Sequence, residues 1–169
     1  MTTQGTTMLA ITVMQPWADA ITRGLKPIEN RSWAPPRAIL GRQLAIHAGK
    51  SVDHEGMARY RDLAGAEARA LVSMPTGAVT AVVRVVGALH LETGWTAGDI
   101  DPARATRIAR SPWACGPWAW LLDEVRPLPE PVGWRGAQGL WPLPLPVLSQ
   151  IDAAFGASGA EVAFDMGRR

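Results

Sequence analysis

The chain has 169 residues, long enough for one domain with a real hydrophobic core. Its composition, 47% hydrophobic and 19% charged, excludes a disordered chain. The 17 basic residues are nearly balanced by 15 acidic ones, a net charge of +2, which allows a local basic patch but no coat for a long polyanion. Among those 17, only Lys26 and Lys50 are lysines; arginine supplies the rest. Cys115 has no partner for an internal disulfide, which fits a reducing compartment. The opening "MTTQGTTMLAITVMQPW" lacks the charged and long apolar regions of a signal peptide. The most apolar stretch, residues 77–91, is interrupted by Arg84 and His90 and is too short to span a bilayer. The expectation is a soluble, cytoplasmic protein without a membrane partner.

"MLAITVM" (8–14), short, apolar and partly β-branched, predicts a strand. Pro16 and Gly24 then bracket a short helix, with Trp17, Ala18, Ile21 and Leu25 at helical spacing. "KPIENRSW" (26–33) alternates as a strand does, which puts Ile28 and Asn30 on one face and Glu29, Arg31 and Trp33 on the other. Lys26 would then oppose Glu29, unless Pro27 ends a turn instead of extending the strand. "RQLAIHAG" (42–49) predicts a strand, and 53–72 a helix with Asp53 as its N-cap and Met57, Tyr60, Ala64, Ala68 and Leu71 on its apolar face.

Residues 76–91 are apolar on both faces, as in a central or strongly curved strand, with a bend at Gly87. Residues 92–117 read as irregular, with room for a helical turn or two in "DPARATRIAR". "PWAWLLDEV" (117–125) predicts a strand, the proline-rich "RPLPEPVGWRG" an exposed connection, "AQGLWPLP" a last short strand and 146–155 a small helix. No repeat or linker divides the chain. It reads as one domain over 1–169, with its core over about 8–145 and a short C-terminal helix and tail over 146–169. Several short strands with two inserted helices predict an α+β, mainly β, fold built on a small, partly open barrel.

The stretch "QPWADAITRGLKPIENRSW", with its spacing Gly24-x-Lys26-x-x-Glu29-x-Arg31, resembles the signature of the ASCH (activating-signal cointegrator homology) domain. "LAIHAGKS" and "GPWAWLLDEVRPLPEPVGWRGAQGLW" resemble the segments that follow it in that family, so the likeness runs from about residue 8 to residue 145. It implies the PUA-like fold, a small pseudo-β-barrel with inserted and flanking helices and a cleft lined by residues 24–33. It also implies two kinds of activity: binding of RNA or single-stranded nucleic acid, and hydrolysis by amidohydrolases of acetylated cytidine or by ribonucleases. The amidohydrolase branch has lysine and threonine as reacting groups in Gly-x-Lys-x-x-Thr. This chain carries Glu29 at the threonine position and resembles the larger, cointegrator-like branch.

Lys26 reads either as a cleft amine that contacts phosphate or substrate, or as a solvated cation offsetting a helix dipole. Glu29 and Arg31 share a strand face and form either a structural ion pair or, through Glu29, an acceptor for the exocyclic amine of a base. Trp17 reads first as core, whereas Trp33 beside "APPR" reads as a platform for a stacked base. His47, Lys50 and Ser51 surround the Ala-Gly turn of "IHAGKS", a modest anion site or simply the end of a strand. Cys115 reads as a small buried hydrophobe. The histidines show no metal-ligand spacing, so neither a metal nor a cofactor is expected. The leading expectation is a module binding single-stranded nucleic acid or a nucleotide-like ligand in a basic cleft. Its proposed ligand-contacting residues are Trp17, Lys26, Glu29, Arg31, Trp33, His47, Lys50 and Ser51. The alternative is a hydrolase of a modified nucleoside such as N4-acetylcytidine, or a ribonuclease, with Lys26 and Glu29 as catalytic groups.

Overall fold

A computed structural model describes residues 7–165; residues 1–6, and residues 166–169 of the expected C-terminal tail, lie outside the described residues. The chain runs β1 (Leu9–Gln15), α1 (Trp17–Thr22), β2 (Ile28–Arg31), β3 (Arg42–Val52), α2 (Gly56–Ala64), β4 (Ala78–His90), β5 (Thr96–Gly98), α3 (Pro102–Ala109), β6 (Trp118–Gly133), β7 (Leu140–Pro142) and α4 (Leu145–Asp165). The fold is α+β. Seven strands form one sheet in the order β2-β6-β4-β3-β1-β7, with β5 on the side of β4. β1 and β3 pair in parallel, and every other pairing is antiparallel.

Alternation along the strands sorts the core into two layers. Ile11, Val13, Leu44, Ile46, Val83, Val85 and Trp120 pack on one face with Ala18 and Ile21 of α1. Ala10, Ala45, Val79, Val82 and Trp141 pack with Val147 and Ile151 of α4. A third cluster, including Ile28, Met57, Tyr60, Ile108, Trp113 and Leu121, fills the space under α2 and α3. There the buried Asp19 carboxylate accepts from the Tyr60 hydroxyl at 3.0 Å and pairs with Arg69 at 3.3 Å, tying α1 to α2 and the chain after it.

Several elements depart from the sequence expectation. The helix expected over 53–72 ends at Ala64, because Gly65 at φ 55° leaves helical geometry; two short 3₁₀ turns follow. β6 continues through "RPLPEPVG", expected as an exposed connection. Its pairing with β2 stops at Leu121, so beyond that point no strand covers one edge and prolines 127, 129 and 131 cost no sheet hydrogen bond there. β5 falls in the segment read as irregular, and α4 runs well past residue 155.

The sheet does not close into a barrel. β7 covers β1 only at Leu9–Ile11, so the later residues of β1 lack a partner strand on that edge. β2, at the other end of the sheet, comes up to this gap without hydrogen-bonding to β1 strand to strand. A side-chain hydrogen bond crosses it: the Arg31 guanidinium donates to the Thr12 carbonyl at 2.7 Å. No helix among the described residues is long and apolar enough to cross a membrane.

Candidate functional site: the seam between β1 and β2

The seam is built from the sequence segment that closes α1. After α1 the chain turns back, with the Leu25 and Lys26 amides both donating to the Ala20 carbonyl at 2.9 and 3.0 Å. Pro27 ends this turn, and its carbonyl accepts from the Leu122 amide at 2.9 Å. Lys26 therefore lies before the strand and folds back over it. Its ammonium donates to the Ile28 carbonyl at 2.6 Å and to Glu29 Oε2 at 3.1 Å. The other oxygen, Glu29 Oε1, accepts from Arg31 Nη2 at 3.0 Å.

One carboxylate thus joins two cations, and both Lys26 and Glu29 are buried, 2% and 6% exposed. Of the two sequence readings for Glu29, the ion pair is the arrangement found. Each oxygen accepts from one cation, so any further donor would share the carboxylate with two ion pairs. Lys26, by contrast, keeps one ammonium hydrogen free. Arg31 Nη1 has no partner among the described residues, and Arg31 Nε is buried without one.

These groups line a cavity of about 510 Å³ together with Thr12, Val13, Met14, Asn30, Asp53, Glu55, Gly56, Arg59, Cys115 and two indoles. The Trp17 and Trp113 rings meet edge to face, with centroids 6.3 Å apart. Trp17 Nε1 donates to Asp53 Oδ2 at 2.9 Å, while Asp53 Oδ1 accepts from the Gly56 amide at 2.8 Å, which fixes the start of α2 against the indole. Opposite, Asn30 Nδ2 donates to the Trp113 carbonyl at 2.9 Å and Asn30 Oδ1 accepts from the Cys115 amide at 3.1 Å. Arg59 donates to the Pro112 carbonyl, so the 112–115 loop is held from two sides.

The walls carry three cations (Lys26, Arg31, Arg59) and three carboxylates (Glu29, Asp53, Glu55) among largely apolar surface, so the cavity is electrically balanced, not basic as expected. A second hollow, of about 580 Å³, is lined by Asp19, Arg23, Arg69 and the prolines of β6; none of the residues singled out in the sequence reaches it. Among the described residues no cluster of His, Cys, Asp and Glu is arranged to hold a metal.

Of the residues read from the sequence as ligand contacts, Trp17, Lys26, Glu29 and Arg31 meet at this cavity. Trp33 does not: its ring packs edge to face on Trp120 at 4.7 Å, and its carbonyl accepts from Trp120 Nε1 at 3.0 Å. His47 lies on the α4 face of the sheet, buried, with Nε2 3.0 Å from the Trp134 carbonyl. Burial lowers its pKa below the usual 6.5, an effect the Trp134 carbonyl partly offsets. Lys50 and Ser51 are exposed on a bulge of β3.

Sequence reading missed Asn30, Asp53, Arg59 and Trp113 as wall residues, and it expected Cys115 to be buried, whereas the thiol is exposed. Asn30 binds residues more than 80 positions away, which no local pattern records. The signal available for Asp53 was its N-cap position, which the structure turns into a bridge to Trp17.

The ASCH domain profile matches residues 11–99, over half of the chain, and the protein belongs to the ASCH domain family. Its fold is similar to the crystal structure of ASCH from Zymomonas mobilis, at 14% identity and a TM-score of 0.50, covering 86% of this chain and 94% of that one. Crystal structures of two ZmASCH mutant proteins from Zymomonas mobilis match at 15% identity with TM-scores of 0.48 and 0.49, covering 86% of this chain and 96% and 94% of theirs. No curated protein matches the sequence.

Proposed function

We propose that the protein binds an unpaired nucleobase, carried by a nucleotide or a single strand, in the seam cavity. The observation that supports this reading most is the composition of one hollow: two indoles, the free donors of Lys26 and Arg31, and balanced charge. A volume of about 510 Å³ lies within the usual range for small-molecule sites. Indole surfaces suit a flat heterocycle, and the lysine and arginine donors suit the carbonyl and ring-nitrogen acceptors on its edge. Glu55, exposed at the wall, is the carboxylate free to accept from an exocyclic amine.

Cys115 provides the test, being the chain's single cysteine, exposed and on the cavity wall. Saturating mononucleotides or short single strands are expected to slow its reaction with a thiol reagent and to change tryptophan fluorescence. Trp17→Ala and Lys26→Met should abolish both effects while the circular dichroism of the fold is kept. Unchanged thiol kinetics and fluorescence at millimolar nucleotide overturn the reading.

A hydrolytic reading rests on the free N–H of Lys26. Paired to Glu29 and to a backbone carbonyl, this amine is placed to stabilise developing negative charge rather than to attack as a nucleophile. Release of acetate from N4-acetylcytidine, or cleavage of RNA, by wild type and not by Lys26→Met is the result this alternative requires.

A further inference from the structure

The segment around α1 serves two hollows. Trp17 lines the seam cavity, whereas Asp19, Thr22 and Arg23 line the second hollow, of about 580 Å³. That hollow exists because β6 swells away from β4. Ala81 pairs with Pro127 and Val79 with Val132, so residues 128–131 stand opposite Thr80 alone. The bulge makes one wall, and residues 72–75, just before β4, make another.

Part of the wall is polar and buried: Gln15, Asp19 and Thr80 are 0%, 3% and 3% exposed. Its acceptors already have donors. The Asp19 carboxylate accepts from Tyr60, Arg23 and Arg69 at 3.0, 3.5 and 3.3 Å, and Gln15 Oε1 accepts from the Asp19 amide at 2.9 Å. The Thr22 and Thr80 hydroxyls satisfy each other at 2.6 Å. Donors are what remain. Gln15 Nε2 gives one N–H to the Pro75 carbonyl at 2.6 Å and has a second. Arg23 is taken by Asp19 and by the carbonyl and carboxylate of Glu67. Arg69 uses only Nη1 on Asp19; its Nε and Nη2 have no partner among the described residues. Those two nitrogens form the guanidinium edge that meets a carboxylate with two parallel hydrogen bonds. The rest of the wall is aliphatic: Met74, Leu128, the prolines of the bulge and Val72, which is 95% exposed.

We propose that this second hollow binds a small aliphatic monocarboxylate, its carboxylate on the Nε–Nη2 edge of Arg69 and its hydrocarbon against Met74, Leu128 and Val72. The head group must accept hydrogen bonds, because donors are what the wall offers. One negative charge suffices, because Arg69 is the one cation of the wall with an unpaired edge. The body is aliphatic, because no aromatic ring lines the hollow for a flat heterocycle to stack on. The volume lies within the usual range for small-molecule sites. The site needs nothing from the base-binding reading of the seam.

Calorimetric titration with hexanoate, hexanamide and hexyl phosphate tests it. Hexanoate should bind about tenfold tighter than hexanamide, the worth of one charge-assisted pair. Arg69→Gln should erase that difference. Val72→Glu should weaken hexanoate severalfold by setting a like charge at the rim, and with a side chain this exposed its melting temperature should match wild type. The reaction of Cys115 with a thiol reagent should not change at saturating hexanoate, since that thiol lies on the seam cavity. No binding of hexanoate at millimolar concentration, equal affinities for acid and amide, or affinities that neither variant alters overturn the proposal. So does protection of Cys115, which would place the acid in the seam, and tighter binding of hexyl phosphate overturns the choice of a monocarboxylate.

Discussion

Glu29, itself buried, holds two cations at the cavity wall, which makes it the most sensitive side chain of the seam. Removing this carboxylate strands both cations without a counter-charge. Glu29→Ala is therefore expected to destabilise the fold by about 3–5 kcal/mol, read from urea denaturation. The double change Lys26→Met with Glu29→Leu should cost clearly less, because it removes the buried ammonium together with its partner. Equal losses in the single and double variants would show that packing, not charge, sets the stability there. An ideal strand over 26–33 would put Lys26 and Glu29 on opposite faces, and a turn ending at Pro27 was the alternative by which they could meet. Pro27 resolves that conflict by ending a turn, so the lysine reaches Glu29 over the strand's end. Trp33 is partly exposed, as the prolines beside it suggested, but its ring packs on Trp120 of β6, 87 positions further on, and does not line the cavity.

The connection between β6 and β7, residues 134–139, crosses the α4 face of the sheet over His47 and Thr12, which are register partners in β3 and β1. Gly136 lies so close that a Cβ would fall 2.6 Å from His47 Nδ1 and 2.7 Å from Thr12 Oγ1, which explains the glycine of "RGAQG". Thr12 Oγ1 donates to the Ala137 carbonyl at 2.9 Å, so the connection is bound along its length. His47 Nδ1 is buried with no hydrogen-bond partner among the described residues, and burial lowers the pKa of the ring from 6.5. Below pH 6.5 the unfolded chain takes up a proton that the folded chain resists, so stability is full above that pH and falls as the solution is acidified. Melting temperatures at pH 7.5 and 5.5 should show this loss, and His47→Gln should reduce it. The strands themselves were largely legible from apolar and β-branched runs. The reach of β6 was not, because prolines signal a break unless one knows that the strand's outer edge lacks a neighbour there.

An open sheet has two ends, and here they are brought together without being paired. That the chain forms an α+β fold was readable from its pattern, but the strands expected to be short include β4 of 13 and β6 of 16 residues. Strand order was not, since β6 inserts between β2 and β4 and nothing local encodes a long-range neighbour. Arg31 does at the gap what a backbone amide does inside a sheet. Arg31→Leu is expected to leave the Thr12 carbonyl without this donor and the β1 edge bare, a template for pairing with another chain. Light scattering should then show concentration-dependent association that wild type lacks, together with faster amide exchange in β2. Monodisperse behaviour and unchanged exchange would mean that the gap is held shut by other contacts.

The hollow touches residues from two regions that the strand ladder leaves unjoined, so an occupant would act as a clasp. Its binding free energy would be partly stored as resistance to parting of the two ends. At one hundred times its dissociation constant a ligand adds about 2.7 kcal/mol to the opening cost. Fraying of the short β2 would then report occupancy directly, and the protein would be most rigid when it is most fully loaded.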